Sequence, residues 1–269
     1  MNKFKEFDEL LKRYKTLNIE ASKQEFDKLK INFIFHSNRL EGSNLTLAQT
    51  EELINHHTLK GEGSLEHMLM AIDNYKALNQ ALMFGANKYP LSERLILQLH
   101  KILLKNTFEI DPFYNSWKTD GQKLGEFKIK SNRIKITNFN EDVYYSTPEP
   151  SKSIELIRES IEIYNISKNH FIDKLSNLVQ NIYNAHAFFD GNKRMTRLII
   201  GNQLIANKLP LMVGHNHENK YNDALVEGFI NGGSDNIKEV LNISFCQHLS
   251  KEIELTKKMK KPKGFGMIL

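Results

Sequence analysis

The chain has 269 residues, 40% of them hydrophobic, which is enough to bury one large core with an N-terminal extension. Its formal net charge of +5 is matched by Lys257, Lys258, Lys260, Lys261 and Lys263 in the C-terminal tail; the rest balances, and a nucleic-acid partner is disfavoured. Cys246 is the single cysteine, which excludes an intrachain disulfide; with no apolar signal core and no run of about twenty apolar residues, the expectation is a cytoplasmic protein without a membrane partner.

Apolar spacing predicts helices near 3–16, 22–40, 46–57, 65–84, 91–106, 151–165, 169–186, 193–207, 218–230 and 235–258, an all-α chain. Along the second of these, Phe26, Leu29, Phe33 and Leu40 form one apolar stripe. It ends in Ser37-Asn38-Arg39-Leu40-Glu41-Gly42, with Ser37 and Glu41 one turn apart on a shared face. Read alone, that is an ordinary helix end with Gly42 as cap residue and Glu41 in solvent. Thr46 and Ser92 are placed to cap the third and fifth helices ahead of Leu47 and Leu53, and of Leu95, Ile96 and Leu99. Residues 111–121, with Trp117, read as a loop. Next, Phe127 and Ile129, then Ile134 and Ile136, alternate about a turn at Ser131-Asn132, a short β-hairpin made basic by Lys128, Lys130, Arg133 and Lys135. Such a hairpin either covers the core inertly or offers a strand edge to a partner. His215-Asn216-His217-Glu218 reads as a surface loop in preference to a transition-metal site.

Chemistry concentrates in His186-Ala187-Phe188-Phe189-Asp190-Gly191-Asn192-Lys193-Arg194-Met195-Thr196-Arg197. Upstream, Phe171, Leu175, Leu178, Val179 and Ile182 mark a buried helix, and His186 extends its inward face at the last turn. Gly191 and Asn192 supply turn chemistry, and Leu198, Ile199, Leu204 and Ile205 resume a helix that runs to Pro210. The amides near Asn192–Met195 therefore lie at a helix N-terminus, where unpaired N–H groups and the dipole favour an anion. Arg194 and Arg197 share a face of that helix. The arrangement suits a nucleotide polyphosphate.

This segment resembles the Fic family signature H-x-F-x-D/E-G-N-G/K-R-x-x-R at every constrained position. The resemblance implies an all-α Fic-type helical bundle with one short hairpin flap, moving AMP from ATP to a protein hydroxyl. It makes His186 the general base and Asp190 the Mg²⁺ ligand. Gly191, Asn192 and the turn amides would hold the α-phosphate, and Arg194 and Arg197 the outer phosphates. Phe188 would anchor the loop. The chemistry needs these types: an imidazole deprotonates a hydroxyl near neutral pH, and a hard cation takes one carboxylate plus phosphate oxygens. Ser37 and Glu41 resemble the family's inhibitory motif S/T-x-x-x-E-G/N, in which the glutamate pairs with the last arginine, here Arg197. The hairpin resembles the family's flap, and Tyr221 and Asn222 stand where members often shape an adenine pocket. On this resemblance the chain divides into an inhibitory extension at 1–60, with its helix at about 22–41, a catalytic domain at 61–240, and a helix end with basic tail at 241–269.

Two positions depart from the commonest pattern: Ala187 replaces Pro, and Lys193 replaces a second Gly, where its side chain either crowds the α-phosphate or contacts it as a cation. The related death-on-curing toxins also carry Lys there and phosphorylate their targets, but generally lack the final arginine. The intact pair Arg194 and Arg197 favours AMP transfer, with ATP as substrate and Mg²⁺ as cofactor. Rival readings are a Fic-fold phosphotransferase, a de-modifying enzyme that uses Glu41 to activate water, and a non-catalytic nucleotide-binding regulator. The implied partner is a protein, this chain included; a homodimer is allowed, though no residue specifies its interface.

Overall fold

The computed structural model describes residues 3–58, 61–138, 141–214 and 220–260. The N-terminal third is helical: α1 (Lys5–Thr16), α2 (Lys23–Arg39), α3 (Leu47–His56), α4 (Leu65–Ala86) and α5 (Glu93–Leu103). Side chains start four of these helices, Thr46 and Ser92 as the sequence predicts. Ser22 with Glu25, and Thr46 with Gln49, form reciprocal capping boxes on α2 and α3, and Ser64 and Ser92 cap α4 and α5.

The helix expected over 91–106 breaks in two, because Leu104 leaves helical geometry before α6 (Lys105–Ile110). The fully buried Asp73 of α4 makes the break stable, accepting from the amides of Asn106 and Thr107 at 2.8 and 3.0 Å. Residues 111–121 are not a loop: a 3₁₀ turn (Pro112–Tyr114) runs into α7 (Asn115–Thr119). An antiparallel hairpin of β1 (Arg133–Asn138) and β2 (Glu141–Ser146) follows, with Ile134 opposite Tyr145 and Ile136 opposite Val143. Then come α8 (Pro150–Ile166), α9 (Phe171–Ala185), α10 (Asn192–Ala206), α11 (Lys220–Asn231) and α12 (Asp235–Lys260).

Helix α10 is the centre of the molecule. Twelve of its fifteen residues are buried, Thr196, Arg197, Asn202 and Gln203 among them, so its polar groups must find partners inside the protein. It packs on α4 and α9. The α4 crossing is close: a side chain at Gly85 would start 2.5 Å from the carbonyl oxygen of Asn202. Helix α9 separates two core clusters. Leu178, Ile182 and Ala185 face the one built with α2, α4, α5 and α8, while Leu175, Val179 and Tyr183 face the one built with α1, α11 and α12. The apolar positions of 169–186 thus serve two cores, not one inward face.

The first helices are packed on the body, α1 against α12 and α2 against α4. Cys246 is buried on α12. Lys257 and Lys258 are exposed near its end, whereas Lys261, Lys263 and the segment His215–Glu218 lie outside the described residues. Among the described residues, no helix is long and apolar enough to cross a membrane.

Candidate active site

The turn between α9 and α10 is held from several sides. His186 is not the last helical residue expected from its spacing. It follows α9 with a left-handed backbone, φ 42°, and its N–H reaches only to the Tyr183 carbonyl at 3.1 Å. Gly191 closes the turn at φ +77°, a conformation glycine adopts without strain, with Leu103 so near that an added Cβ would sit 3.3 Å from it. Between them, Phe188 N–H donates to Asn192 Oδ1 at 3.1 Å and Asn192 Nδ2 donates back to the Phe188 carbonyl at 2.9 Å. His100 of α5 stacks on the Phe188 ring at 3.9 Å, and its Nε2–H donates to the Asp190 carbonyl at 3.1 Å. The side chain of Asn192 is therefore tied to the loop itself, with one of its two amide N–H groups committed to Phe188. Helix α10 has no side-chain cap. The amides of Asn192, Lys193 and Arg194 open its first turn, where helical geometry supplies no acceptor and an anion is favoured.

Asp190 Oδ2 accepts from the Tyr114 hydroxyl at 2.6 Å and from Arg194 Nη2 at 2.8 Å. Burial opposes charge on this carboxyl, but Arg194 and Tyr114 outweigh it and hold its pKa below the ordinary aspartate range. The Arg194 side chain is 4% exposed, and its Nε and Nη1 have no partner among the described residues. Arg194 thus faces its own loop with one edge and keeps buried donors on the other.

Arg197 is fully buried. Its Nε donates to Ser37 Oγ at 2.8 Å, its Nη2 to the Ser37 carbonyl at 3.2 Å, and Nη2 also to the Glu41 carboxylate. Tyr221 lies under the guanidinium at 5.8 Å and bonds Thr196 at 2.9 Å. With no exposure it backs Arg197 and lines no open adenine pocket. Glu41 is not on the α2 helix with Ser37 but in the turn beyond the Leu40 cap, and that turn still brings both to Arg197. Asn222 secures the junction, donating to the Leu40 carbonyl at 3.0 Å and accepting from Arg197 Nη1 at 3.5 Å. Asn74 of α4 donates to Ser37 Oγ and Asn38 Oδ1 at 3.1 and 2.8 Å. Burial again works against the Glu41 charge, and Arg197, Lys193 and Arg194 together bring its pKa below the usual glutamate range.

The His186 pKa is pushed down to about 4, by burial first and by Lys128 second, so the imidazole is neutral near pH 7. Its Nδ1 is buried with no partner among the described residues. The hairpin beside it is shifted from the expected register. Ile134 and Ile136 lie on β1, but Phe127 and Ile129 are on no strand. The backbone of their segment is taken elsewhere: the Phe127 carbonyl and Ile129 N–H by the Gln122 side chain, and Lys128 N–H by the Ala187 carbonyl at 2.9 Å. Phe127 packs on Phe188 at 5.5 Å, and Ile129 stays exposed. Lys128 is buried rather than part of a basic edge.

Residues 90–204, which contain this loop, match the family model described as the Fic/DOC family. They form a Fic/DOC-family domain. The fold is similar to that of a Fic domain-containing signaling protein from Bacteroides thetaiotaomicron, at 22% identity and a TM-score of 0.78 over 94% of this chain and 97% of that one. A Fic family protein from Desulfovibrio desulfuricans matches at 14% identity and a TM-score of 0.72, covering 96% and 77% of the two chains. Fic-1 from C. elegans matches at 16% identity and a TM-score of 0.72, covering 95% and 73%. No curated protein sequence matches the chain. Membership supports a Fic-domain enzyme, of a family whose members generally transfer AMP or another nucleoside monophosphate.

In this Fic domain no group of three or more His, Cys, Asp or Glu side chains among the described residues is placed to cage a metal. A Mg²⁺ ion carried by a nucleotide needs only one or two carboxylates, and Asp190, a third exposed and ionised, fits that demand. Periodicity gave no sign of Tyr114, His100 or Asn74, which reach the site from distant helices. Asn222 was visible beside Tyr221, though not its grip on the α2 terminus.

Proposed function

We propose that this Fic protein moves AMP from ATP to a Ser, Thr or Tyr hydroxyl of a protein, its own chain included, and is held inactive by Glu41 on Arg197. What carries the reading is the environment of Arg197. A fully buried guanidinium, one helical turn from an uncapped helix start, is closed off by a carboxylate and a serine of another element. Carboxylate and phosphate suit the same guanidinium fork, so Glu41 occupies the place a terminal phosphate would claim.

With Glu41 withdrawn, the first-turn amides of α10 and the open edge of Arg194 would bind the phosphates, and Arg197 the outermost. Neutral His186 would take the proton of the target hydroxyl as its oxygen bonds to the α-phosphorus and the bond to pyrophosphate breaks. Asp190 would hold Mg²⁺, which supplies charge neutralisation at the phosphates. The hairpin beside His186 would align the target by its strand edge. The cytoplasm suits this use of ATP.

Lys193 supports a second reading, γ-phosphate transfer. It stands in the first turn of α10, and its charge acts on both Glu41 and His186. One experiment separates the readings: wild type, Glu41→Gly and His186→Ala are incubated with ATP labelled at the α- or the γ-phosphate. Incorporation of α-label by Glu41→Gly and not by the others is expected. Incorporation of γ-label would replace AMP transfer with phosphotransfer. No label with any variant would leave a binding module, and loss of AMP from modified protein only with Glu41 intact would indicate the reverse reaction.

A further inference from the structure

Lys128 is sealed inside the protein at 2% exposure, yet among the described residues its amine bonds only neutral acceptors, Thr147 Oγ1 at 2.8 Å and Asn132 Oδ1 at 3.1 Å. Asn132 precedes β1 and Thr147 follows β2, and the Thr147 N–H donates to the Asn132 carbonyl at 3.2 Å. The amine thus closes the neck of the hairpin. The same residues grip the loop of the base: Lys128 N–H holds the Ala187 carbonyl at 2.9 Å and Asn132 Nδ2 the Phe188 carbonyl at 3.1 Å. Those carbonyls belong to the two residues that follow His186.

An ammonium in such a place is costly: burial pushes the Lys128 pKa down to about 8, against the pull of Glu149. A methionine would fill the space without that cost, so a use for the charge or the reach is indicated. The groups acting on the His186 ring are Lys128, Lys193 from α10, Asp190 from the loop and the Tyr183 carbonyl from α9, whose ring also stands edge-on at 5.8 Å. The two lysines disfavour the imidazolium; Asp190 and the carbonyl favour it.

We propose that Lys128 is a positioning residue for His186, tying the neck of the hairpin to the two residues that follow the imidazole and setting a positive charge that acts on it. This rests on His186 being the base of the proposed transfer. It is tested first without any transfer, by NMR titration of the His186 ring in the nucleotide-free full chain. Lys128→Gln is expected to raise the His186 midpoint by about half a unit to one unit, and Lys128→Arg to leave it in place. In the Glu41→Gly background the acid limb of the pH–rate profile should move by the same amount, with Arg restoring what Gln loses. An unchanged midpoint in Lys128→Gln, or equal shifts with Gln and Arg, would overturn the proposal. If transfer itself is absent, the titration still decides the role of Lys128. Should Lys128→Gln fail to fold, Thr147→Val removes the nearer acceptor of the amine together with the bonds of that hydroxyl to Asn132, and leaves Lys128 in place. Hydrogen exchange at the Lys128 amide is then expected to quicken about tenfold, and unchanged protection would refute the tie.

Discussion

Ser37 meets Arg197 twice, its hydroxyl oxygen accepting from Nε at 2.8 Å and its backbone carbonyl from Nη2 at 3.2 Å. Ser37→Ala keeps the second contact and the Glu41 pair but leaves a buried Nε–H unpaired. A loss of about 1–3 kcal/mol in urea unfolding is expected. ATP affinity, measured by calorimetry, should rise less than in Glu41→Gly, because the carboxylate remains in place. A larger gain in Ser37→Ala would move the inhibitory role from Glu41 to Ser37.

Removing Glu41 leaves the Arg197 guanidinium buried without its counter-charge, a change that typically costs about 3–5 kcal/mol. Ser37 and Asn222 still cover three of its nitrogens. Glu41→Gly is therefore expected at the low end of that range, and magnesium-ATP should restore the loss by supplying a new anion. Thermal unfolding with and without nucleotide checks this. A variant as stable as wild type and indifferent to ATP would separate Glu41 from any nucleotide site.

The Glu41–Arg197 contact sets its own pH window. The folded-state pKa of Glu41 is below its unfolded value, so the stability it contributes is complete above the usual glutamate range and is lost as pH falls through the depressed folded value. Glu41→Gln should thus differ from wild type by a constant amount across neutral pH and converge with it only in strong acid. Convergence already near pH 6 would mean that the carboxylate is not held ionised.

His186 is depressed as well, to about 4, and here the neutral form is the useful one. Transfer by Glu41→Gly at saturating ATP should hold its rate as pH falls through 6.5, the ordinary histidine value, and halve near pH 4. A half-maximal rate near 6.5 would place the imidazole in a wetter setting than this one.

Asn192 and Phe188 exchange two buried hydrogen bonds. Asn192→Ala should cost about 2–4 kcal/mol, and Asn192→Asp nearly as much, since a carboxylate accepts from the Phe188 N–H but repels its carbonyl. In a chain of this length, each kcal/mol is worth roughly 2–4 °C in Tm. A mild Asn192→Asp would show that the donated bond carries little.

The helices were largely legible because caps and apolar spacing act within a few residues: Thr46 and Ser92 each start a helix by bonding their own first turn. The pairing of Glu41 with Arg197 was legible through a motif resemblance and not through geometry, since Glu41 lies past the helix on which it was expected. What escaped reading depends on distant partners. Leu104 breaks a helix because Asp73 captures the next turn, and Phe127 and Ile129 leave the sheet because Gln122 takes their backbone and Ala187 that of Lys128 between them. Lys128 looked like solvent-facing charge because alternation along a strand says nothing about what covers it.

The left-handed backbone at His186 has a consequence for protein engineers. A residue with a Cβ gives up about 1 kcal/mol to stand there; glycine avoids that strain but loses a comparable amount in backbone entropy on folding. His186→Gly should therefore make an inactive variant that tolerates heat nearly as well as its parent, a silent decoy for trapping whatever the active one touches.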